Sequence, residues 1–373
     1  MRLSIAKIIF IILFFHLSIQ LSSQSKNYHT ITGNVYDEES GEPIPFVNVF
    51  LDGTTLGSST DQNGKYIINK IPRGSYRIIV SMIGYQRDDR DVQLINKSTI
   101  TINFKLITFV YKLEEINVTT ERDYDWVNDA GVFQKNFLGS SNNSSECKIV
   151  NGEILEFIKS DDFHLKAKAS EPLVILNEAL GYKVIFDLKE FVLSNDNEVN
   201  YYGIIRFEEL IPETDIQELG WEKRRKEAYY GSFRHFLVAL CKGELNENGY
   251  YTYTVDYPDW NDLRRRDFLN PNLTDIVEKI TTIERILKFN DYIMVAYMNE
   301  WEEKEFQTYR NYLGSKIFRE LDYQTSWVKL PYGVAMFDIN GNIADNYKSI
   351  KVFGYWGWQK VADLLPTDYV PNE

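Results

Sequence analysis

Five side chains between residues 221 and 242 carry groups that bind anions or move protons: Arg224, Arg225, Tyr229, Arg234 and His235. Apolar residues recur around them every three to four positions, which predicts a single helix over residues 215–242. Arg224 and His235 stand eleven positions apart, about three helical turns, so they would share a face of that helix. A stripe of guanidinium groups of this kind could hold a carboxylate, a phosphate or an acidic sugar.

A group of aromatic residues near the C-terminus is the second candidate binding surface. It contains Trp356 and Trp358, with further rings at residues 347, 353 and 355. Exposed on one face of a sheet, these rings would stack on sugars; packed inward, they would form a core cluster. The cationic helix has a comparable alternative, because its arginines could pair with glutamates of the same helix on an ordinary solvated face.

No catalytic constellation is found in the sequence. Gly231-Ser232 lies inside the predicted helix rather than at a Gly-x-Ser-x-Gly elbow, and no phosphate-binding loop occurs. Adjacent carboxylates such as Asp161-Asp162 point to opposite faces of a strand, so they make a poor acid/base pair. We therefore predict no catalytic residue, no cofactor and no metal site. Carboxylates brought together only by folding leave a hydrolase of glycan or peptide as the alternative.

Cys147 and Cys241 are the two cysteines of the chain. In an oxidising compartment a disulfide between them would stabilise the protein by roughly 4–5 kcal/mol in the chain-entropy model, because it closes a long loop. Two separate buried thiols are the alternative. Neither cysteine has a histidine or a second cysteine at ligand spacing, so no zinc site is predicted on them.

Length and composition predict a folded protein of two or three domains. The chain has 373 residues, of which 44% are hydrophobic and 25% charged, and its 25 Tyr and 22 Phe favour strands. The formal net charge is −13, which argues against a nucleic-acid partner. A basic triplet at residues 264–266 is either a docking point for a partner or a loop neutralised by its flanking aspartates.

Residues 1–23 have the pattern of a secretory signal peptide. Arg2 and Lys7 precede an apolar stretch over residues 8–19, and a polar segment of small residues follows. The apolar stretch is shorter than the ~20 residues that a membrane-spanning helix needs. We predict an exported protein without a transmembrane span in the mature chain, in the periplasm or associated with the outer membrane or cell surface.

Residues 28–107 predict a self-contained antiparallel β-sandwich of about seven strands. Short segments rich in Val, Ile, Phe and Tyr alternate there with Gly, Pro, Asn and Asp. The run Asp61-Gln62-Asn63-Gly64 is a strong hairpin signal, because Asn-Gly supplies the positive φ of a tight turn.

The same stretch also follows a family pattern. Its motif residues are Gly33, Val35, Asp37, Gly41–Pro45, Val47–Val49, Gly53-Thr54, Gly57, Thr60-Asp61, Gly64, Ile71-Pro72, Gly74–Tyr76 and Ile83–Tyr85. The stretch resembles the carboxypeptidase regulatory-like domain, an immunoglobulin- or transthyretin-like β-sandwich. The resemblance implies a bacterial envelope protein in which the domain follows a signal peptide, often ahead of a TonB-dependent outer-membrane transporter. It implies no activity of its own, because the domain is an accessory module.

Neither a carboxypeptidase nor a transporter is predicted for this chain. A zinc carboxypeptidase would need a His-x-x-Glu pair, and none of the four histidines (His16, His29, His164, His235) has Glu three residues later. A transporter would need a barrel of many ~10-residue amphipathic strands, whereas the segments after residue 107 include helices.

Residues 108–146 are predicted to be a linker, with loops over residues 121–129 and 139–146, and residues 147–368 an α+β domain. Besides the long helix, this domain is predicted to have a helix at residues 273–280. Its landmarks, such as residues 177–182, 231–237 and 354–366, resemble the uncharacterised C-terminal part of exported proteins with the regulatory-like domain. That part brings no assigned chemistry.

The leading hypothesis is a non-enzymatic, exported envelope protein that binds a partner protein or a surface ligand, such as a glycan, through both domains. Its candidate binding residues are Arg224, Arg225, Tyr229, Arg234, His235, Trp356 and Trp358. The alternatives are the carboxylate-dependent hydrolase and an assembly partner of an outer-membrane transporter.

Overall fold

The structure is a computed structural model that describes residues 28–109, 124–255, 258, 276–312, 323–344 and 347–372. The predicted signal peptide, the basic triplet at residues 264–266 and part of the predicted linker lie outside these residues. The protein is multidomain: an N-terminal β region precedes a mixed α/β region that contains several sheets. Within the described residues, no helix is long and apolar enough to cross a membrane.

Two sheets that share one hydrophobic core make up the β region. Its strands are β1 (His29–Asp37), β2 (Asn48–Leu51), β3 (Gly57–Ser59), β4 (Lys65–Ile71), β5 (Gly74–Ser81), β6 (Asp88–Leu94), β7 (Thr99–Thr101) and β8 (Phe104–Leu106). One sheet has the order β4-β1-β7, with β8 also on β1, and the other has the order β3-β2-β5-β6. Ile31 and Val35 of the first sheet and Ile78 and Val80 of the second are fully buried in the shared core.

The last predicted strand of this region, residues 99–106, is divided into β7 and β8. Between them, the Ile102 amide donates to the Thr32 carbonyl, and the Asn103 side chain accepts from the Asn34 amide. Both short strands run parallel to β1. The β region therefore has eight strands rather than about seven.

A six-stranded sheet begins the α/β region. A helix precedes it, and the elements are α1 (Tyr124–Leu138), β9 (Cys147–Ile149), β10 (Leu155–Ser160), β11 (Phe163–Ala169), β12 (Leu173–Asn177), β13 (Tyr182–Leu193) and β14 (Val199–Glu209). The order is β10-β11-β13-β12-β9, and β14 pairs along the other side of β13.

Helix α1 corrects the loop predicted over residues 121–129. Its start is charged, which suggested a loop, but Phe133 and Phe137 one turn apart are fully buried in the core of the six-stranded sheet. The two rings stack with their centroids 4.8 Å apart, and Phe137 also meets Phe186 of β13 edge-on. Half of the predicted linker is therefore part of a packed core.

Two smaller sheets and a helix share the next core. The remaining elements are α2 (Asp215–Tyr229), α3 (Phe233–Lys242), β15 (Tyr250–Val255), β16 (Val277–Lys279), β17 (Glu284–Lys288), β18 (Tyr292–Trp301), α4 (Lys304–Tyr312), β19 (Tyr323–Lys329), β20 (Val334–Asp338), β21 (Lys351–Gly354) and α5 (Tyr355–Trp358). The sheets have the orders β15-β18-β19-β21 and β16-β17-β20. Helix α3 covers both through Phe236, Leu237 and Leu240. The helix predicted at residues 273–280 is wrong in its described part, which holds strand β16.

The single helix predicted over residues 215–242 is also wrong, because the chain breaks at residues 230–232. Gly231 has φ +76°, and a Cβ there would lie 2.6 Å from the Gln324 side chain and 2.7 Å from the Tyr297 ring. Ser232 then starts α3 by accepting a hydrogen bond from the His235 amide. The apolar spacing continues across the break, whose local signals are Gly231 and the helix-capping residue Ser232.

Gly231→Ala should therefore destabilise the protein by about 2–4 kcal/mol, since it adds backbone strain and a steric clash. The matched control is Gly220→Ala, which lies on the exposed side of α2 with no atom near the added methyl. It should stabilise the helix by about 0.5–1 kcal/mol. Urea unfolding of both variants measures the difference, and equal midpoints would contradict the assigned break.

Candidate functional site

A large cavity, of about 1330 Å³, lies where the β region meets both parts of the α/β region. Strands β5 and β6 form one wall, β14 a second, and the segments around Phe233, Met336 and Trp356 the others. Apart from tyrosines, the polar side chains on its lining are Asp52, Ser75, Arg77, Asp91, Gln93, Ser232, Arg234, Glu284, Asn342, Gln359, Lys360, Asp363 and Thr367. Half-buried rings at Tyr202 and Phe233 lie among them.

The first joint that holds the cavity in shape extends the six-stranded sheet into the β region. The Gly53 amide donates to the Ile205 carbonyl at 2.7 Å, and the Phe207 amide donates to the Thr54 carbonyl at 3.0 Å. The Asp52 carboxylate accepts from the Ile205 amide at 2.8 Å. The outer edge of β14 is thus covered by the loop after β2, which fixes the two regions against each other.

The second joint is a polar cluster between β5 and the sheet of β16, β17 and β20. Glu284 accepts hydrogen bonds from the Ser75 hydroxyl at 2.9 Å and the Gln93 amide at 2.6 Å. Fully buried Asp338 accepts from the Ser75 backbone amide at 3.1 Å. Gly74 permits this approach, because a Cβ there would lie 2.4 Å from the Asn340 side chain.

A C-terminal segment, residues 366–369, is the third joint. Arg234 donates to the backbone carbonyls of Asn340, Pro366, Thr367 and Tyr369 at 2.6–3.1 Å. The same segment reaches the β region through the Thr367 amide on the Gly53 carbonyl, and through the Asp368 carboxylate, which accepts from the Thr55 amide and hydroxyl. One guanidinium of α3 therefore fixes a segment that also contacts the β region.

Two carboxyl groups and one amine on the lining have pKa values shifted toward neutral pH. Burial raises the pKa of Asp52 to about 6 and the pKa of Asp363 to about 6. Burial also lowers the pKa of Lys360 to about 8. Near neutral pH, the cavity thus presents two carboxyl groups and one amine that are close to titrating, a combination that occurs at functional sites more often than elsewhere.

The residues predicted from the sequence are only partly brought together. Tyr229, Arg234 and Trp356 line the large cavity. Arg225 lines a smaller cavity of about 270 Å³, where it stacks on Tyr182 and donates to the Leu180 and Gly181 carbonyls.

Three predicted residues line neither cavity. Arg224 pairs with Glu146 at 2.7 Å, and Trp358 is buried with Phe306 and Tyr355. His235 is buried between α3 and β15, because the helix break turns it away from Arg224. The shared cationic face therefore does not form.

His235 is held by three partners. Its Nδ1 faces the Tyr250 hydroxyl at 2.9 Å and the Gly231 amide at 3.3 Å, and its Nε2 faces the Asn248 side chain at 3.2 Å. Burial lowers the pKa of His235 from 6.5 to about 4. The ring is therefore neutral at physiological pH and organises the helix break.

The lowered pKa of His235 predicts a loss of stability in acid. The unfolded chain takes up a proton near pH 6.5 and the folded chain only near pH 4, so stability falls between these values by up to about 3 kcal/mol. Buried carboxyl groups with raised pKa values act in the opposite direction. The difference between wild type and His235→Gln cancels their contribution, and a difference that does not change from pH 7 to pH 4 would contradict the neutral histidine.

The two cysteines are free thiols. Cys147 is buried in the core of the six-stranded sheet, whereas Cys241 packs against the core around α3. The disulfide left open by the sequence is not formed, because the residues belong to different cores. Among the described residues, no group of three or more His, Cys, Asp or Glu is placed to hold a metal ion.

The sequence did not single out the side chains that dominate the lining. Asp52, Arg77, Lys360 and Asp363 come from segments far apart in the chain. Two sequence patterns include or adjoin these residues: Gly53-Thr54 belongs to the family pattern of the β region, and Asp363 lies in a landmark of the C-terminal part. Neither pattern predicts that the two segments contact each other.

Comparison with known proteins places the β region in a family. Residues 31–118 match the CarboxypepD_reg-like domain. A TonB-dependent receptor, P39 of Formosa agariphila, is 35% identical over 98 residues, which are 26% of this chain and 8% of that receptor. The chain therefore carries a CarboxypepD_reg-like domain, a domain typical of bacterial envelope proteins, and shares only this short stretch with the receptor.

Similarity to solved structures is slight. The major pilin subunit BcpA of Bacillus cereus has a TM-score of 0.20 and 15% identity, over 22% of this chain and 30% of that chain. The 5-hydroxyisourate hydrolase of Klebsiella pneumoniae has a TM-score of 0.19 and 16% identity, over 22% and 92% of the two chains. Similarities of this size say nothing about what the protein does.

Proposed function

We propose that this chain is a non-enzymatic, exported protein of the cell envelope that binds a surface ligand, a short oligosaccharide, in the large cavity. The observation that carries the proposal is a cavity of about 1330 Å³ walled by both regions of the protein. Ligand sites are found preferentially between domains, and those for drug-sized ligands measure about 300–1000 Å³. The larger volume suits a ligand of several linked units.

The lining suits sugars better than an entirely apolar ligand. Tyr202 and Phe233 offer flat apolar surfaces to the C–H faces of sugar rings. Gln93, Gln359 and Arg77 offer amide and guanidinium groups that hydrogen-bond hydroxyls. Of the residues predicted from the sequence, Tyr229, Arg234 and Trp356 remain in the proposed site.

The finer assignments belong to the same proposal. The β region is a transthyretin-like sandwich over residues 28–107, the residues from 147 to 368 are an α+β domain, and residues 1–23 are a cleaved signal peptide. The CarboxypepD_reg-like domain and the stretch shared with a TonB-dependent receptor support an envelope location. We place the protein in the periplasm or at the outer membrane.

An oligosaccharide array tests the proposal, with neutral and acidic glycans of two to six sugars. Wild-type protein should bind a subset, and Ala344→Trp should lose that binding, because residue 344 is a small residue on the lining and the indole would fill the cavity. Val150→Trp, on an exposed turn away from the cavity, is the matched control and should bind as wild type does. Absence of binding, or equal binding by Ala344→Trp, would overturn the proposal.

A carboxylate-dependent hydrolase is the second candidate, favoured by the raised pKa values of Asp52 and Asp363 on one lining. Its test is turnover of the same glycans and of peptides, measured by released reducing ends or amines. Turnover that is lost in Asp52→Asn would support the hydrolase against the binding protein; no turnover above a buffer control would exclude it.

An assembly role beside an outer-membrane transporter is the third candidate, favoured by the stretch shared with the TonB-dependent receptor. Crosslinking in the native envelope, followed by purification of the tagged chain, tests it. Recovery of a barrel protein in wild type but not after deletion of residues 28–107 would support this role, and recovery of none would count against it.

A further inference from the structure

Lys360 has an amine without a charged partner. Its Nζ donates to the Gly357 carbonyl at 2.6 Å, and no carboxylate pairs with it among the residues that the structure describes. The residue lies on the lining of the large cavity beside Gln359, Asp363 and Leu364. Most lysines are solvated at the surface, whereas this one is only partly exposed and lines a cavity.

The position of Lys360 is fixed by its backbone and its stem. Its amide faces the Asp363 carboxylate at 3.4 Å, and its carbonyl accepts from the Asp363 amide at 3.0 Å. The stem packs on Gly139, where a Cβ would lie 3.0 Å from the Lys360 Cβ. The base of the side chain is therefore packed, and the Nζ hydrogen bond to Gly357 holds its far end.

Asp363 does not neutralise this amine. One of its carboxylate oxygens accepts from the Ser141 hydroxyl at 2.8 Å and the Asn143 side chain at 3.0 Å, and the other faces the Lys360 backbone. Burial is the cause that lowers the pKa of Lys360, to about 8, so the group is still mostly an ammonium at neutral pH. A desolvated ammonium without a counter-charge is unfavourable, and an anion delivered by a ligand would relieve that cost.

We infer that the ligand of the cavity carries a carboxylate, as an acidic oligosaccharide with uronic acid units does, and that Lys360 Nζ binds it. This inference rests on the proposed function. Lys360 supplies a singly charged donor, and Gln359 beside it supplies a neutral one. The other cations of the lining are already engaged, Arg77 by Asp91 and Arg234 by four backbone carbonyls. One ammonium with one amide matches a carboxylate of a single charge better than a phosphate, which carries about −1.5 to −2 at pH 7 and calls for several cations.

The test compares two trisaccharides of equal size, α-1,4-trigalacturonic acid and its carboxyl-reduced form, α-1,4-galactotriose. Calorimetric titration of the full mature chain should show about tenfold tighter binding of the acid, as one charge-assisted hydrogen bond gives. Lys360→Met should remove that preference, and its midpoint of thermal unfolding should not fall, because an unpaired charge is removed. Lys168→Met, at an exposed lysine on β11, is the control and should leave the preference unchanged.

The outcomes distinguish failure of the role of Lys360 from failure of the proposed sugar-binding function. Equal binding of the two trisaccharides, or an acid preference that survives Lys360→Met, overturns the role of Lys360 while the cavity remains a sugar site. Binding of both trisaccharides that survives Ala344→Trp overturns the cavity itself. If neither trisaccharide binds while the array yields neutral ligands, the carboxylate is wrong and the binding function stands.

Discussion

Replacing Arg234 by methionine should destabilise the protein by at least about 3 kcal/mol, the largest effect that we expect for a single side chain away from the hydrophobic cores. The guanidinium donates four hydrogen bonds to backbone carbonyls, three of them on residues 366–369. Methionine replaces the apolar stem of the arginine but has no donor, so these carbonyls would lose their partner. The C-terminal segment should then detach from Gly53 and Thr55 and become sensitive to protease.

The control for Arg234 is another arginine of the same predicted helix. Arg224→Met removes one exposed ion pair with Glu146, which should cost no more than about 1 kcal/mol. Urea unfolding and limited proteolysis of both variants measure the contrast. If both lose the same stability, or if Arg234→Met keeps a protected C-terminus, the C-terminal segment is not the joint described above.

Asp338→Asn should destabilise the protein by about 2–4 kcal/mol although it changes the size of the side chain very little. Fully buried Asp338 accepts from the backbone amides of Ser75, Asn340 and Asn342 and from the Asn342 side chain. Because its hydrogen-bond partners are donors, the NH₂ group of asparagine would point one donor at another. The loss should weaken the joint between β5 and β20.

The chain contains a matched control for Asp338 in an exposed turn of the same sequence pattern. Asp61 accepts from the Asn63 and Lys65 amides at 2.8 and 2.9 Å, two and four residues on, as Asp338 does with Asn340 and Asn342 at 2.9 Å. Because Asp61 is exposed to solvent, Asp61→Asn should lower the free energy of unfolding by about 1 kcal/mol or less. Equal losses in the two variants would show that Asp338 acts only within its own turn.

These two turns mark the limit of what the sequence predicts. Asp61-Gln62-Asn63-Gly64 and Asp338-Ile339-Asn340-Gly341 both predict a hairpin, and both form a tight turn, with glycine at φ +71° and +79°. The turn at Asp61 joins β3 and β4, which lie in different sheets, so the hairpin predicted there does not form. Local sequence governs the turn through the positive φ and the aspartate cap. It does not say that one turn lies in solvent and the other is buried against β5, since that depends on contacts from a distant part of the chain.

The strands of the β region could be predicted because they follow local sequence patterns, whereas the cavity depends on contacts between distant segments. Alternating burial along β1 and β5 follows the alternation of apolar residues, and the family pattern fixes the turns between them. The cavity, in contrast, needs Asp52, Arg77 and Lys360 to meet, and these come from three segments joined only by tertiary contacts. The basic residues that the sequence favoured, Arg224 and Arg225, pair with Glu146 and with backbone carbonyls.

Helix α1 and the break at Gly231 were not predicted, because the more prominent sequence pattern in each segment indicated something else. The charged start of α1 favoured a loop over a helix that buries two phenylalanines. The continuous apolar spacing over α2 and α3 favoured one helix over two. The break matters for the candidate site, since it turns His235 inward and leaves Arg234 facing residues 366–369. Of the predicted cationic stripe, Arg234 therefore forms part of a structural joint at the cavity.

Hydrogen exchange with and without a glycan selected on the array tests the central claim most directly, because it locates the bound ligand on the chain. We predict slower exchange in β5, β6, β14 and residues 356–365, which wall the cavity, and no change on the exposed face of α2. Protection confined to α2 or to the far sheet of the β region, with β5, β6 and β14 unaffected, would contradict a ligand site between the two regions.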